Sequence, residues 1–417
     1  MQAPDLSPVR ARFPALQRRL DGRALVFLDA PGGSQVPDTV IDAMTEYLRS
    51  HNSNTHGAFA TSLETDELIA EARRSGAAFT GGDPDEIVFG PNATTLLFAF
   101  SRAVARELGP GDEVLVTTLD HDANITPWVM AAEDAGATVR TVDIRDEDAT
   151  LDLDSFRANL SERTKVAAFT LASNAVGTVT PAAELVRVVR EVSPHAIVAV
   201  DAVHIAQHRA LDLHALGADV LACSPYKFFG PHLGILAARR DLLERLRPYK
   251  VRPAEDVVPD RWETGTKSHE ALGGLVAAVG YIASIGAEFG ETAEGTLRGE
   301  VLGGMETIRA YEQTLSRRFL EGVSSIPALR LWGIADTARL DERTPTFAVR
   351  LGEQHPLETA RALGERGIFV WDGHYYALAL MERLGLQETG GAVRVGFCHY
   401  NTPAEVDLVL ENLAALA

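Results

Sequence analysis

Between residues 85 and 240 the chain alternates in a way that leaves few folds open to it. Short, nearly continuous apolar runs recur: EIVF (86–89), EVLVTT (113–118), TVRTVDI (138–144), KVAAFTLA (165–172), AIVAVDAV (196–203), DVLACS (219–224) and GILAAR (234–239). Helical patterns lie between them, at 94–109, 126–136, 152–160 and 182–192. A strand that is apolar on both faces must be covered on both faces, and crossover helices do this for a parallel sheet. The expectation is an α/β fold with a large domain built on a mainly parallel seven-stranded sheet. A long helical stretch follows at about 269–320. Strands at 346–352 and 392–397, with helices near 357–366 and 403–416, then indicate a smaller C-terminal α/β domain. The expected limits are an N-terminal segment (1–30) packing with the small domain, a large domain (31–285) and a small domain (286–417).

Charge and cysteine content narrow the function. Lys and Arg total 39 against 58 Asp and Glu, a formal net charge of -19. Such an acidic chain is not expected to bind nucleic acid or an anionic membrane. Cys223 and Cys398 both sit in apolar runs, which fits a reducing compartment better than a disulfide framework, and neither has metal-ligand spacing. No apolar leader and no membrane-length run is seen, so a cytoplasmic location is expected. Phosphate-loop, zinc-protease and nucleophile-elbow motifs are absent, as is a Gly-x-Gly-x-x-Gly after the first strand.

Ligands in parallel sheets bind beyond the carboxyl ends of the strands, so the residues that follow each run carry the functional information. After EIVFG, Ala93 and Thr94 open a helix whose free amides suit a phosphate. His121 follows the second run, Asn174 the fourth, and Asp201 with His204 the fifth. Ser224, Tyr226 and Lys227 follow the sixth. A lysine between an apolar run and a Phe-Phe-Gly-Pro corner is either snorkelling or partly dehydrated, and a dehydrated amine is a nucleophile. Taken together, these ends offer a phosphate seat, an aromatic plate, two hydrogen-bonding groups, a carboxylate and an amine. Pyridoxal 5'-phosphate needs that set.

The segments FLDAPGGSQVP (27–37), NSNTHG (52–57), GPNATT (90–95), LDHDANITPW (119–128), SNAVGT (173–178), VDAVH (200–204), SPYKFFGP (224–231), ETGT (263–266), WDGHYYA (371–377) and VRVGFCHYNT (393–402) resemble class V aminotransferases of pyridoxal-phosphate fold type I, in the cysteine desulfurase-like branch. The resemblance implies that Lys227 is the Schiff-base lysine and proton shuttle, that Asp201 pairs with the pyridine nitrogen and that His121 stacks on the ring. It implies further that Asn174 and His204 lie near the ring hydroxyl, with Ala93, Thr94 and Ser224 around the phosphate. His204 stands where many relatives have glutamine, and Tyr226 where many desulfurases have histidine. Thr266 would reach the phosphate of a neighbouring subunit, which makes a homodimer with shared sites the expected assembly. Arg394 would grip the carboxylate of a small amino-acid substrate, with Asn54, His56, His374 and Tyr376 also near it.

In the group of cysteine desulfurases that the chain resembles, a nucleophilic cysteine lies in a loop written roughly Gly-His-His-Cys-Ala. Here the loop reads Gly373, His374, Tyr375, Tyr376, Ala377, and a phenol cannot hold a persulfide. Strand alternation would set Cys398 on the same face as Arg394 and so near the pocket. The expected activity is a carbon–sulfur β-elimination without a persulfide intermediate. Transamination and epimerisation are the alternatives, and true desulfuration or idle cofactor binding stand behind them.

Overall fold

The computed structural model describes residues 4–290 and 295–417. Seven strands form the large sheet: β1 (Ile87–Gly90), β2 (Glu113–Thr117), β3 (Thr138–Val142), β4 (Thr164–Thr170), β5 (Ile197–Asp201), β6 (Val220–Cys223) and β7 (Gly234–Ala238). Their order is β1-β7-β6-β5-β4-β2-β3. All neighbours are parallel except β7, which runs antiparallel to β1 and β6. The runs of β2, β5, β6 and β7 are buried along their whole length. The edge strand β3 keeps polar residues partly in water, as an unpaired edge should. Apolar clusters lie on both faces of the sheet, as the continuous apolar runs require. Because β1 shares the direction of β2 to β6, the segments after Gly90, Thr117, Thr170, Asp201 and Cys223 leave the sheet at one edge.

The helical stretch near 269–320 is two helices, His269–Phe289 and Leu297–Val323, with residues 291–294 outside the described part. Helix 269–289 is the one described helix long and apolar enough to cross a membrane. Its composition is explained by packing against helices Asp38–Glu46, Ala60–Thr80 and 297–323. The two long helices touch through glycines: a Cβ at Gly286 would lie 2.1 Å from Glu300 O, and one at Gly304 2.1 Å from Ile282 O. Backbone cannot yield there as a side chain can. Gly304→Ala should therefore lower stability by on the order of 3 kcal/mol, read as a lower denaturation midpoint. Gly280→Ala, with open space at its Cβ, should raise it slightly, by roughly 0.5–1 kcal/mol.

A second sheet of four antiparallel strands is ordered β8 (Leu329–Trp332), β9 (Thr346–Leu351), β11 (Ala392–Gly396), β10 (Trp371–Gly373). Helix Pro356–Gly364 packs on it, and helix Pro403–Leu416 packs against that helix and helix 297–323. The N-terminal segment joins this part of the chain. Leu6, Val9 and Phe13 are buried, Arg10 pairs with Glu405 at 2.9 Å, and Val26–Phe27 lies parallel to Ile368–Phe369.

Candidate active site

A cavity of about 770 Å³ opens at the carboxyl edge of the large sheet, closed on its other side by β10, β11 and the loop after β10. Helix Ala93–Val104 presents its N-terminus to it, with Asn92 as cap accepting the Thr95 N–H at 2.8 Å. The Ala93 N–H donates to Ser224 Oγ at 3.2 Å. That contact leaves the Ser224 hydroxyl proton free to point at an anion. Ala93, Thr94 and Ser224 all line this end of the cavity.

Asp201 ends β5, buried, and accepts the Val203 N–H at 2.7 Å on one oxygen. Burial raises its pKa to about 6, with the Val203 bond and the Lys227 charge opposing the rise. It is thus ionised at neutral pH and lacks a paired cation, a costly state that a protonated ring nitrogen would relieve. His121 follows β2. Its Nδ1 accepts the Ala123 N–H at 3.0 Å, so in the neutral ring the proton resides on Nε2. Burial first, then Lys227 and Arg394, lower its pKa to about 4, which keeps the ring neutral and suited to stacking. Tyr376 covers one face, with ring centroids 5.6 Å apart and planes 22° apart.

Lys227 is buried in the short turn after β6 and donates from Nζ to Pro31 O. Burial depresses its pKa to about 7, with Arg394 adding to the shift and Asp201 opposing it. Lys227 does not snorkel into water: the side chain is buried. Condensation with an aldehyde needs the neutral amine. The apo-protein should therefore take up pyridoxal phosphate about ten-fold faster per pH unit up to pH 7 and level off above about pH 8. A stopped-flow rate that keeps rising through pH 9 would contradict this environment.

Arg394, in the middle of β11, is buried without a carboxylate partner among the described residues. Its Nη1 donates to Asn174 O at 2.9 Å, its guanidinium carbon lies 4.3 Å from the Tyr375 ring centroid, and its Nε is unpaired. Burial lowers its pKa to about 10, so it stays charged. Asn174 donates from Nδ2 to Tyr375 O at 2.9 Å while its Oδ1 has no partner. His204 lies 3.2 Å by Nε2 from the hydroxyls of Thr344 and Thr346, and its Nδ1 is likewise unpaired. Behind it stands His208, held by Glu312 at 2.7 Å.

These unmade bonds test the cofactor expectation. Buried polar atoms are normally satisfied. Here Asn174 Oδ1, His204 Nδ1, Arg394 Nε and an Asp201 with one bond cluster on a single cavity with a phosphate-competent helix end and an amine of lowered pKa. The residues present fit pyridoxal phosphate and an amino-acid carboxylate.

His374, Tyr226 and Tyr376 also line the cavity. Asn54, His56 and Thr266 do not. Asn54 O accepts from Ser62 Oγ at 2.6 Å and the His56 N–H reaches Asp66 at 3.1 Å, which pins their loop to helix 60–80, exposed. Thr266 is exposed before helix 269–289. The placement expected for Cys398 needs correcting: β11 stops at Gly396, and residues 398–401 turn, with Cys398 N donating to Asn401 Oδ1 at 2.9 Å. Alternation fails beyond the strand, and the thiol points to Gln207 Oε1 at 3.5 Å in the core. Cys223 is wholly buried, and burial pushes both thiols up in pKa. Sequence reasoning missed Tyr375 under Arg394, the Pro31 carbonyl at Lys227, and Trp371 and Asp372 on the cavity wall. It also missed Asp120, whose carboxyl, held by Thr117 and Asn124, is raised by burial to about 8. Only Asp120, two residues past an apolar run, carried a usable signal.

The chain matches the family model for class V aminotransferases over residues 26–303 and 300–409. It is 33% identical to a probable cysteine desulfurase of Streptomyces coelicolor, covering 98% of this chain and 96% of that protein. It is 35% identical to probable cysteine desulfurase 2 of Mycobacterium leprae, with 99% and 97% covered. Among solved structures, the apo cysteine desulfurase of Thermococcus onnurineus superposes with a TM-score of 0.87 at 26% identity, covering 100% of this chain and 98% of that one. The fold is therefore that of the fold type I pyridoxal-phosphate enzymes, and the chain belongs to the class V aminotransferase family, among relatives named as cysteine desulfurases.

Proposed function

We propose that the protein is a lyase that eliminates a sulfur leaving group from the β-carbon of an α-amino acid without forming a persulfide. The observation that carries this reading is the cavity wall, which holds every group an elimination needs and, among the described residues, no thiol. Tyr376 occupies the loop position where the resemblance places the sulfur acceptor.

Pyridoxal phosphate, when bound, supplies a ring that takes up the electron pair left by a departing α-proton. Ala93, Thr94 and Ser224 would hold its phosphate, Asp201 its ring nitrogen, Asn174 and His204 its ring oxygen, and Lys227 its aldehyde carbon. Arg394 binds the substrate carboxylate through the guanidinium edge that the chain leaves unpaired. Lys227, about half neutral at pH 7 and largely neutral above about pH 8, accepts the α-proton. His121, uncharged, would stack on the ring without competing for that proton. Sulfur leaves with the C–S electron pair and gains a proton, so R–S–CH₂–CH(NH₃⁺)–COO⁻ and water give RSH, pyruvate and ammonium.

Asn54, His56 and Thr266, all exposed in one chain, are assigned to the site of a second copy. Mass spectrometry of the intact protein after turnover tests the central point: the expected result is no sulfur adduct on either cysteine, and a persulfide on Cys398 would refute it.

A further inference from the structure

Resting on the elimination reading, we propose that the leaving thiol carries a flat, apolar, uncharged substituent, as in S-aryl and S-benzyl conjugates of cysteine, and that Trp371 and Tyr376 select it. Trp371 in β10 is the cross-strand partner of Arg394 in β11. Directly opposed residues of an antiparallel pair project from the same face with Cβ atoms roughly 5 Å apart. An amino acid gripped by Arg394 therefore has the Trp371 indole beside it. The indole is held against Gly32, where a Cβ would lie 2.3 Å from its Nε1, yet the residue is 50% exposed. Tyr376, 68% exposed, rests its ring on His121.

The loop between them is fixed rather than slack. Tyr375 and Tyr376 take φ of 55° and 57°, a left-handed conformation costly for bulky residues. The conformation is locked by hydrogen bonds from Asn174 Nδ2 to Tyr375 O and from the Asp122 N–H to Tyr376 O at 2.7 Å. Two uncovered aromatic rings held at a cavity wall mark a surface for an apolar partner. Asp122, whose N–H bonds to Tyr376 O, also lines the cavity, so an anionic substituent beside Tyr376 would meet like charge. The cavity of about 770 Å³ lies within the usual range for small-molecule sites and has to hold the cofactor together with the substrate.

The experiment compares pyruvate formation by the holoenzyme from S-benzylcysteine, S-carboxymethylcysteine, S-aminoethylcysteine and cysteine, with β-chloroalanine as a bare elimination substrate. We expect kcat/KM for the benzyl conjugate to exceed each of the other three sulfur substrates at least ten-fold. Trp371→Ala should lower it at least ten-fold more than it lowers kcat/KM for β-chloroalanine, and Tyr376→Ala, at an exposed position, should act in the same direction. Calorimetric affinity for α-methyl-S-benzylcysteine, which has no α-proton to lose, should fall at least ten-fold in both variants. Pyruvate from β-chloroalanine with no preference for the benzyl group, or a preference for the carboxymethyl or aminoethyl group, overturns this inference alone. No pyruvate from β-chloroalanine overturns the elimination reading beneath it.

Discussion

Lys227→Ala should abolish turnover, lowering kcat by at least roughly 10³-fold, because one substitution removes both the proposed covalent attachment point and the proposed base. The buried amine it replaces feels the charges of Asp201 and Arg394 and, among the described residues, has Pro31 O as its one hydrogen-bond acceptor. Alanine there leaves no broken ion pair, so the fold should persist. Ala93, Thr94 and Ser224 lie on other segments, so cofactor should still bind, now reversibly and removable by dialysis. Borohydride reduction of the wild-type holoenzyme followed by peptide mapping should place the cofactor on Lys227. Attachment to another lysine, or a Lys227→Ala variant with more than a tenth of the activity, would refute the assignment.

Arg394→Ala should cost about 2–4 kcal/mol in kcat/KM, roughly 30- to 1,000-fold. The cause would be the loss of the proposed charge-assisted contact to the substrate carboxylate in a desolvated site. The cofactor's absorbance should not change, since Arg394 holds none of the groups assigned to it. Arg394→Lys should fall between the two, keeping the charge but losing the planar fork. The diagnostic is discrimination: wild type should strongly prefer an amino acid over its decarboxylated amine, and the alanine variant should nearly lose that preference. Equal wild-type activity on acid and amine would show that the arginine has another task.

What could be read from the sequence followed from periodicity and strand ends. Runs such as AIVAV (196–200) are apolar at every position, which only a doubly covered strand tolerates, and Asp201 stands out because it follows such a run directly. The antiparallel β7 was not distinguishable, since GILAAR reads like its parallel neighbours and direction is set by the connection, not by the run. Alternation placed Cys398 wrongly because it holds only while a strand continues, and the Asn401 side chain turns the chain just after Gly396. Trp371 escaped notice because its role depends on register with Arg394, a pairing between segments 23 residues apart. Asn54, His56 and Thr266 matched a family pattern, yet one chain holds them on its surface.

Product analysis of purified holoenzyme with a cysteine-type substrate tests the account most directly. Elimination predicts pyruvate and ammonia in equal amounts, with no alanine and with the cofactor returned to its starting absorbance. Alanine released alongside a protein persulfide would contradict it, as would an intact keto acid formed with stoichiometric conversion of the cofactor to its pyridoxamine form.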